Sequence, residues 1–273
     1  MKQTDLKNWE EFEAQVAQLT SERAVRERET GNYISEYLFR GQSDSSWRLE
    51  TTLERYIGRL PTLEEYYRVL CAMKPQIETF TDVSWANVPP LMEYIKEIGN
   101  EGLLPPGKFP AYEYFVYLRH HGFPSPLLDW TRSPYVAAYF AFRNVTSAAP
   151  VVSIYVYCEY TAGHKSGSSN KPEITGLGPY VRSHRRHFQQ QSQYTICTEH
   201  RDGAHAYARH EAVFAGNSED QDELYKFNIP ASEREKVLKR LEQYNINAFS
   251  LFGSEESLME ALTFRELLYK SRR

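Results

Sequence analysis

In the first half of this chain apolar side chains recur at the spacing of one helix face, whereas in the second half they gather into β-branched and aromatic runs. Trp9, Phe12, Val16 and Leu19 fall on one side of a helix predicted over residues 5–29, which begins amphipathic and ends in a solvated Arg/Glu run. Tyr37, Leu38 and Phe39 then read as a short strand ending at Gly41. Thr62 and Glu65 form a capping box that opens a second helix carrying Leu63, Tyr66, Tyr67, Leu70 and Ile77. Two shorter helices are expected near residues 91–98 and 111–119, parted by the Pro/Gly cluster "LLPPGKFP". From residue 151 the pattern changes: "VVSIYVYCEY", "QYTICT", "HAYARHEAVFA" and "ELYKFNI" are expected to make a sheet. The Gly/Ser-rich "TAGHKSGSSNKP" is expected to be a mobile loop. Ser232 and Glu235 predict a capped helix with Val237, Leu238, Leu241 and Tyr244 inward, then a strand at "NAFSLF" and a final helix around 258–268. Helices ahead of strands, without regular βαβ alternation, imply an α+β fold rather than a doubly wound parallel sheet.

At 273 residues and 41% hydrophobic composition the chain is long enough for a full core, and one large domain is expected. The net charge of −4 argues against holding nucleic acid by bulk electrostatics while leaving room for a local basic patch. Cys71, Cys158 and Cys197 are odd in number and lack metal or redox spacing, so reduced and mostly buried thiols are expected, in a cytoplasmic setting. The N-terminus has no apolar core of a leader, and no stretch approaches the ~18 apolar residues of a membrane span, so no membrane association is expected.

Three stretches ask for more than packing. The first is Phe39-Arg40-Gly41, where an arginine at a strand end suits bidentate contact with phosphate or ribose oxygens and the glycine admits another backbone or a ligand. The second, "YLRHHGFPSPLLDWTRSPYVAAYFAF", sets Asp129, Trp130, Thr131 and Ser133 at a helix mouth. Ser133 is placed to cap that helix, Pro134 to occupy its first turn, and Ala137, Ala138 and Ala141 to pack closely on the sheet. The third lies between 182 and 214, where Arg182, His184, Arg185, Arg186 and His187 precede a Gln run and Glu211 sits among apolar neighbours. On a strand Glu211 would share its face with Arg209 and be half-buried, as a structural ion pair or a catalytic group. His200, His205 and His210 recur every five residues, which alternates faces on strands, so no metal site is expected. Glycine-rich phosphate loops, nucleophile elbows and kinase motifs are absent from the sequence.

"FRGQ", "LRHHGFPSPLLDWTRSPYVAAYFA", the aromatic-Thr strand after Gln190, and "LYKFNIPASEREKVLKRLEQYNINAFSLFG" occur in the order of the FRG-domain family, which this chain resembles from about residue 36 to 270. Residues 1–35 would then be an N-terminal amphipathic helix and 36–273 the FRG/ADP-ribosyltransferase-like domain. Ser192 departs from the family, which usually has Gly after its Gln pair. The layout is more distantly similar to the ADP-ribosyltransferase superfamily. That resemblance implies a split β-sandwich clamping NAD, with Arg40 in the first motif position, Thr131 and Ser133 in the second, and Glu211 or Gln190 in the third. Glu211 suits charge stabilisation better because a neutral amide offers only a dipole; Gln190 fits the family register better. Arg40, Gly41, Asp129, Trp130, Thr131 and Ser133 would hold NAD, and Arg182, Arg185 and Arg186 would meet a macromolecular acceptor, RNA, DNA or protein. An NAD-consuming mono-ADP-ribosyltransferase is the activity so implied, with a role as a toxin or antiviral effector and a neutralising antitoxin as partner. A non-catalytic nucleotide or nucleic-acid sensor is the alternative. A metal-dependent nuclease would want clustered carboxylates that the sequence lacks.

Overall fold

The computed structural model describes residues 1–101, 109–145, 149–163, 165, 171–179, 181–182, 185–214 and 222–269. Most of "LLPPGKFP" and the middle of "TAGHKSGSSNKP" lie outside the described residues, as does His184, so the expected mobile loop is not described.

The chain opens with strand β1 (Lys2–Asp5) and helix α1 (Trp9–Thr30), followed by β2 (Leu38–Gln42), α2 (Thr52–Tyr56) and α3 (Leu63–Thr81). Next come α4 (Leu91–Glu101), α5 (Tyr112–His120), β3 (Leu128–Thr131), α6 (Pro134–Arg143), β4 (Val151–Cys158), β5 (Glu173–Gly176) and α7 (Arg185–Gln189). The remainder is β6 (Ser192–Arg201), β7 (Ala204–Tyr207), α8 (His210–Val213), β8 (Glu223–Pro230), α9 (Arg234–Gln243), α10 (Ala248–Phe252) and α11 (Glu255–Thr263). A 3₁₀ turn precedes α9 and a wider π turn follows α11. Among the described residues eight strands form one sheet in the order β1-β8-β4-β2-β3-β6-β5, with β7 also on β6. The fold is thus mixed α and β, as the order of periodicities implied.

Local chemistry places the helix ends. Asn8 accepts the Glu11 amide to start α1, and Gly31 closes it at φ +66°. The Thr62/Glu65 capping box forms at α3 as predicted. Ser133 accepts the Val136 amide and Pro134 enters the first turn of α6.

Along β4, Ile154 and Val156 point to one face while Tyr155 and Tyr157 point to the other. On the first face α1, α6 and α9 cover β4 and β8, burying Trp9, Phe12, Ile154 and Phe227. Full burial of a side chain such as Phe12 contributes roughly 3 kcal/mol. Beside it, α3, α4 and α5 cover β6 with a second core of Tyr67, Tyr94, Phe115 and Ile196. The third cluster, with Trp130, Tyr155, Tyr157 and Cys197, lies on the opposite face. Cys158 and Cys197 are buried free thiols and Cys71 is half-buried.

Four local expectations are corrected. The N-terminal helix starts at Trp9 because residues 2–5 pair in parallel with β8. "HAYARHEAVFA" is a strand only to Tyr207; Glu211 stands on the short helix α8. "NAFSLF" is helix, capped by Asn247 on the Ser250 amide, because a polar cap outweighs a short β-like run. Ser232 lies inside the 3₁₀ turn, so it caps nothing, and α9 begins at Arg234.

Candidate functional site

Phe39 with Thr131 is the one register pair between β2 and β3, whereas β2 meets β4 over five pairs and β3 meets β6 over four. The sheet therefore parts at this junction, between the α6 pack and the α5 pack. Arg40 occupies the gap: its Nη1 donates to the Asp129 carbonyl oxygen at 2.8 Å, where continued pairing would have supplied a backbone donor. Gly41 is required by α6. A Cβ there would collide with the Ala137 carbonyl oxygen and lie 2.6 Å from the Ala141 nitrogen, so the glycine admits another backbone.

Above the gap lies a cavity of about 770 Å³, within the range that holds a nucleotide-sized ligand. Its base is Arg40, Asp129, Thr131 and Tyr194, with Arg119 and His120 from the end of α5. One wall is the segment after β2, with Trp47, Arg48 and Glu50, extended by Arg55 on α2. The other is Arg186, Gln190 and Ser192 around the α7–β6 turn, with Phe252 from α10 and Phe140 from α6.

Asp129 organises the base. Arg119 grips its carboxylate with a fork, Nε to Oδ1 at 3.1 Å and Nη2 to Oδ2, while Arg40 Nη1 stands 3.8 Å from Oδ2. Burial alone would raise this carboxyl; Arg119 and then Arg40 outweigh it and hold it below the usual aspartate value. Burial lowers Arg40 to about 10, against the pull of Asp129, so it stays charged at neutral pH. The buried Arg40 Nε has no hydrogen-bond partner among the described residues. His120 Nε2 lies 2.7 Å from the Tyr194 hydroxyl, and burial, opposed by Asp129 and aided by His187, lowers its pKa.

The other residues singled out in sequence fall into two groups. Thr131 and Gln190 reach the cavity together: the Thr131 hydroxyl donates to the Gln190 carbonyl at 2.6 Å, and Gln190 Nε2 donates to the Leu251 carbonyl at 3.1 Å. Gln191, at φ +48°, makes the turn that brings them together. Trp130 also borders the cavity, but its indole points to the opposite core, donating to Thr195 at 2.8 Å and stacking on Tyr157. Ser133 serves as the α6 cap and lies outside the cavity lining. Glu211 is also outside it: Oε1 accepts the Leu49 amide at 2.8 Å. Arg186 lines the cavity with its guanidinium 5.5 Å from the Phe252 ring, while Arg182 and Arg185 are exposed beyond it. Among the described residues no group of three or more His, Cys, Asp or Glu could hold a metal ion, and no helix is long and apolar enough to cross a membrane.

Arg48, Glu50, Arg55 and the bond of Arg119 to Asp129 are not among the residues that the sequence motifs single out. The signal was the mixed aromatic and charged "WRLE" directly after "FRGQ", which has no period to mark it as a wall. Residues 35–149 match the model of the FRG domain, less than half of the chain. The match carries Arg40, Glu50, Arg119, Asp129 and Thr131 and ends before Gln190. No curated protein and no solved structure matches.

Proposed function

We propose that the chain is an NAD-consuming mono-ADP-ribosyltransferase with its substrate seated where β2 and β3 part. The observation that carries this reading is the convergence of Arg40, Thr131 and Gln190, drawn from distant segments, on one arginine-lined cavity. The single-pair junction of β2 and β3 supports describing the sheet as a split β-sandwich of the ADP-ribosyltransferase kind, with residues 36–273 as the domain and 1–35 packed on it. The guanidiniums of Arg40, Arg55 and Arg119 suit a diphosphate, and the Phe252 ring borders the same space beside a base or nicotinamide.

In the reaction the bond from ribose C1′ to the nicotinamide nitrogen breaks. Its electron pair leaves with neutral nicotinamide, and C1′ gains positive charge before an acceptor oxygen or nitrogen attacks and sheds a proton. Fixed dipoles and charges around C1′ lower that barrier. Because Gln190 lines the cavity and Glu211 does not, Gln190 takes the third position in this reading. Arg186 at the rim, with Arg182 and Arg185 outside it, suits a nucleic-acid acceptor. Unrestrained NAD consumption harms the cell that makes the enzyme, so a cytoplasmic toxin or defence role with a neutralising partner follows from this reading.

Incubation with NAD labelled in the adenylate and with separate pools of RNA, DNA and protein tests it. The expected outcome is nicotinamide release with label on one pool, abolished in Gln190→Ala. Tight NAD binding without release would instead establish the sensor alternative.

A further inference from the structure

The segment between β2 and α2 forms one wall of the cavity, and beyond one backbone bond to β4, from the Ser45 amide to the Val151 carbonyl at 2.9 Å, it is held to the sheet by side chains. Gln42 Nε2 donates to the Arg48 carbonyl at 3.0 Å, the Tyr155 hydroxyl to the Trp47 carbonyl at 3.4 Å, and Lys226 Nζ to the Ser45 carbonyl at 2.7 Å. Glu211 completes the set by accepting the Leu49 amide at 2.8 Å. Four polar side chains from the face carrying Tyr155 thus fix Ser45, Trp47, Arg48 and Leu49, and the next residue is Glu50.

Glu50 is half-buried and lines the cavity. The cavity's other carboxylate, Asp129, is committed to Arg119 and Arg40. Glu50 is not: no hydrogen bond or ion pair to its carboxylate exists among the described residues. Arg55, one turn of α2 away and also in the lining, instead gives Nη1 to the Glu50 carbonyl oxygen at 3.1 Å. A purely anionic ligand would be repelled by such a carboxylate, and a neutral one would gain little from it. A ligand that joins an anionic part to a cationic part uses both the guanidiniums and Glu50.

The geometry points to Glu50 as a specificity-determining residue that faces the cationic end of the bound dinucleotide, with Glu211 as the positioning residue that sets it there through Leu49. This inference rests on the NAD reading for the identity of the ligand and goes beyond it in assigning the charge partner. It removes the choice between Glu211 and Gln190 as the source of negative charge: Glu211 acts at one remove, and Gln190 contributes a dipole.

NAD and its reduced form share the diphosphate and differ in the charge of the nicotinamide ring, so calorimetric titration of both reads Glu50 directly. Wild-type protein should prefer the oxidised form by about tenfold, the size expected when one charge-assisted contact is present or absent. Glu50→Gln should bind both forms alike, and its retained affinity for the reduced form reports an intact cleft. A preference that survives in Glu50→Gln overturns the inference, as does an equal loss of both ligands or a wild-type protein without preference. Nicotinamide release by wild-type protein is scored separately. Its failure would count against the transferase, while the affinity ratio still decides Glu50.

Discussion

Asp129 shows why a polar residue at a helix mouth carries more than the turn that contains it. Its carboxylate holds two guanidiniums in fixed places, and without it Arg40 and Arg119 would face each other with like charge. Asp129→Asn keeps the shape and removes the charge. The expected loss is about 2 kcal/mol, less than for a fully enclosed pair because the carboxylate is partly open to solvent. Urea denaturation of the variant beside the parent measures it; an unchanged midpoint would show that the two arginines do not need their counter-charge. The residue also marks a limit of reading from sequence. Asp129 stood out in its motif, but Arg119, ten positions upstream on another element, became its partner only through the fold.

At the scale of elements, β2 and α6 are locked together by what Gly41 lacks. Gly41→Ala should destabilise by about 3 kcal/mol or more, because the intruding carbon meets the α6 backbone at both Ala137 and Ala141 and neither can yield cheaply. Thermal melting of the purified variant checks this, and a melting point equal to the parent's would mean that α6 can shift away from β2. Elements with strong local signals were legible from sequence: the Thr62/Glu65 box, the Ser133-Pro134 start, and the β-branched run that became β4. Elements fixed by distant partners were not. β1 exists because its register on β8 places Lys2 opposite Tyr225 and Asp5 opposite Asn228, which no local pattern announces. The alternation of its neighbours predicts a strand at Glu211; the chain turns after Tyr207, whose amide bonds the Pro61 carbonyl, and the alternation ends there. The same turn removes Glu211 from the cavity and puts its carboxylate under Leu49. The arginine, threonine and glutamine of the cavity were thus visible as motifs, whereas the wall carrying Glu50 was not, because a segment held by side chains has no period.

At the scale of the whole molecule, acidity should move stability in opposite directions through two carboxyls. Burial, and then Glu50, pushes the Glu54 carboxyl up to about 7, and both of its oxygens are buried with no hydrogen-bond partner among the described residues. The folded protein therefore holds this proton more tightly than the unfolded chain. Glu54 favours folding below about pH 4.5, and that advantage is lost as pH rises towards 7. Asp129, held below its ordinary value, works the other way and loses its contribution as pH falls. Between pH 5 and 8 the Glu54 effect should cost about 1 to 2 kcal/mol after solvent screening. Glu54→Gln should flatten that slope in urea titrations, and a variant with the parent's slope would show that another group titrates there.

The cleft itself is a property of the whole sheet: two helical packs cover the same face on either side of the β2–β3 junction, and Arg40 stands between them. Calorimetric titration of NAD into wild-type protein and Arg40→Ala tests this most directly. Saturable binding at one site, weakened tenfold or more in the variant, is the predicted result. No saturable binding, or equal affinity in both proteins, would contradict it.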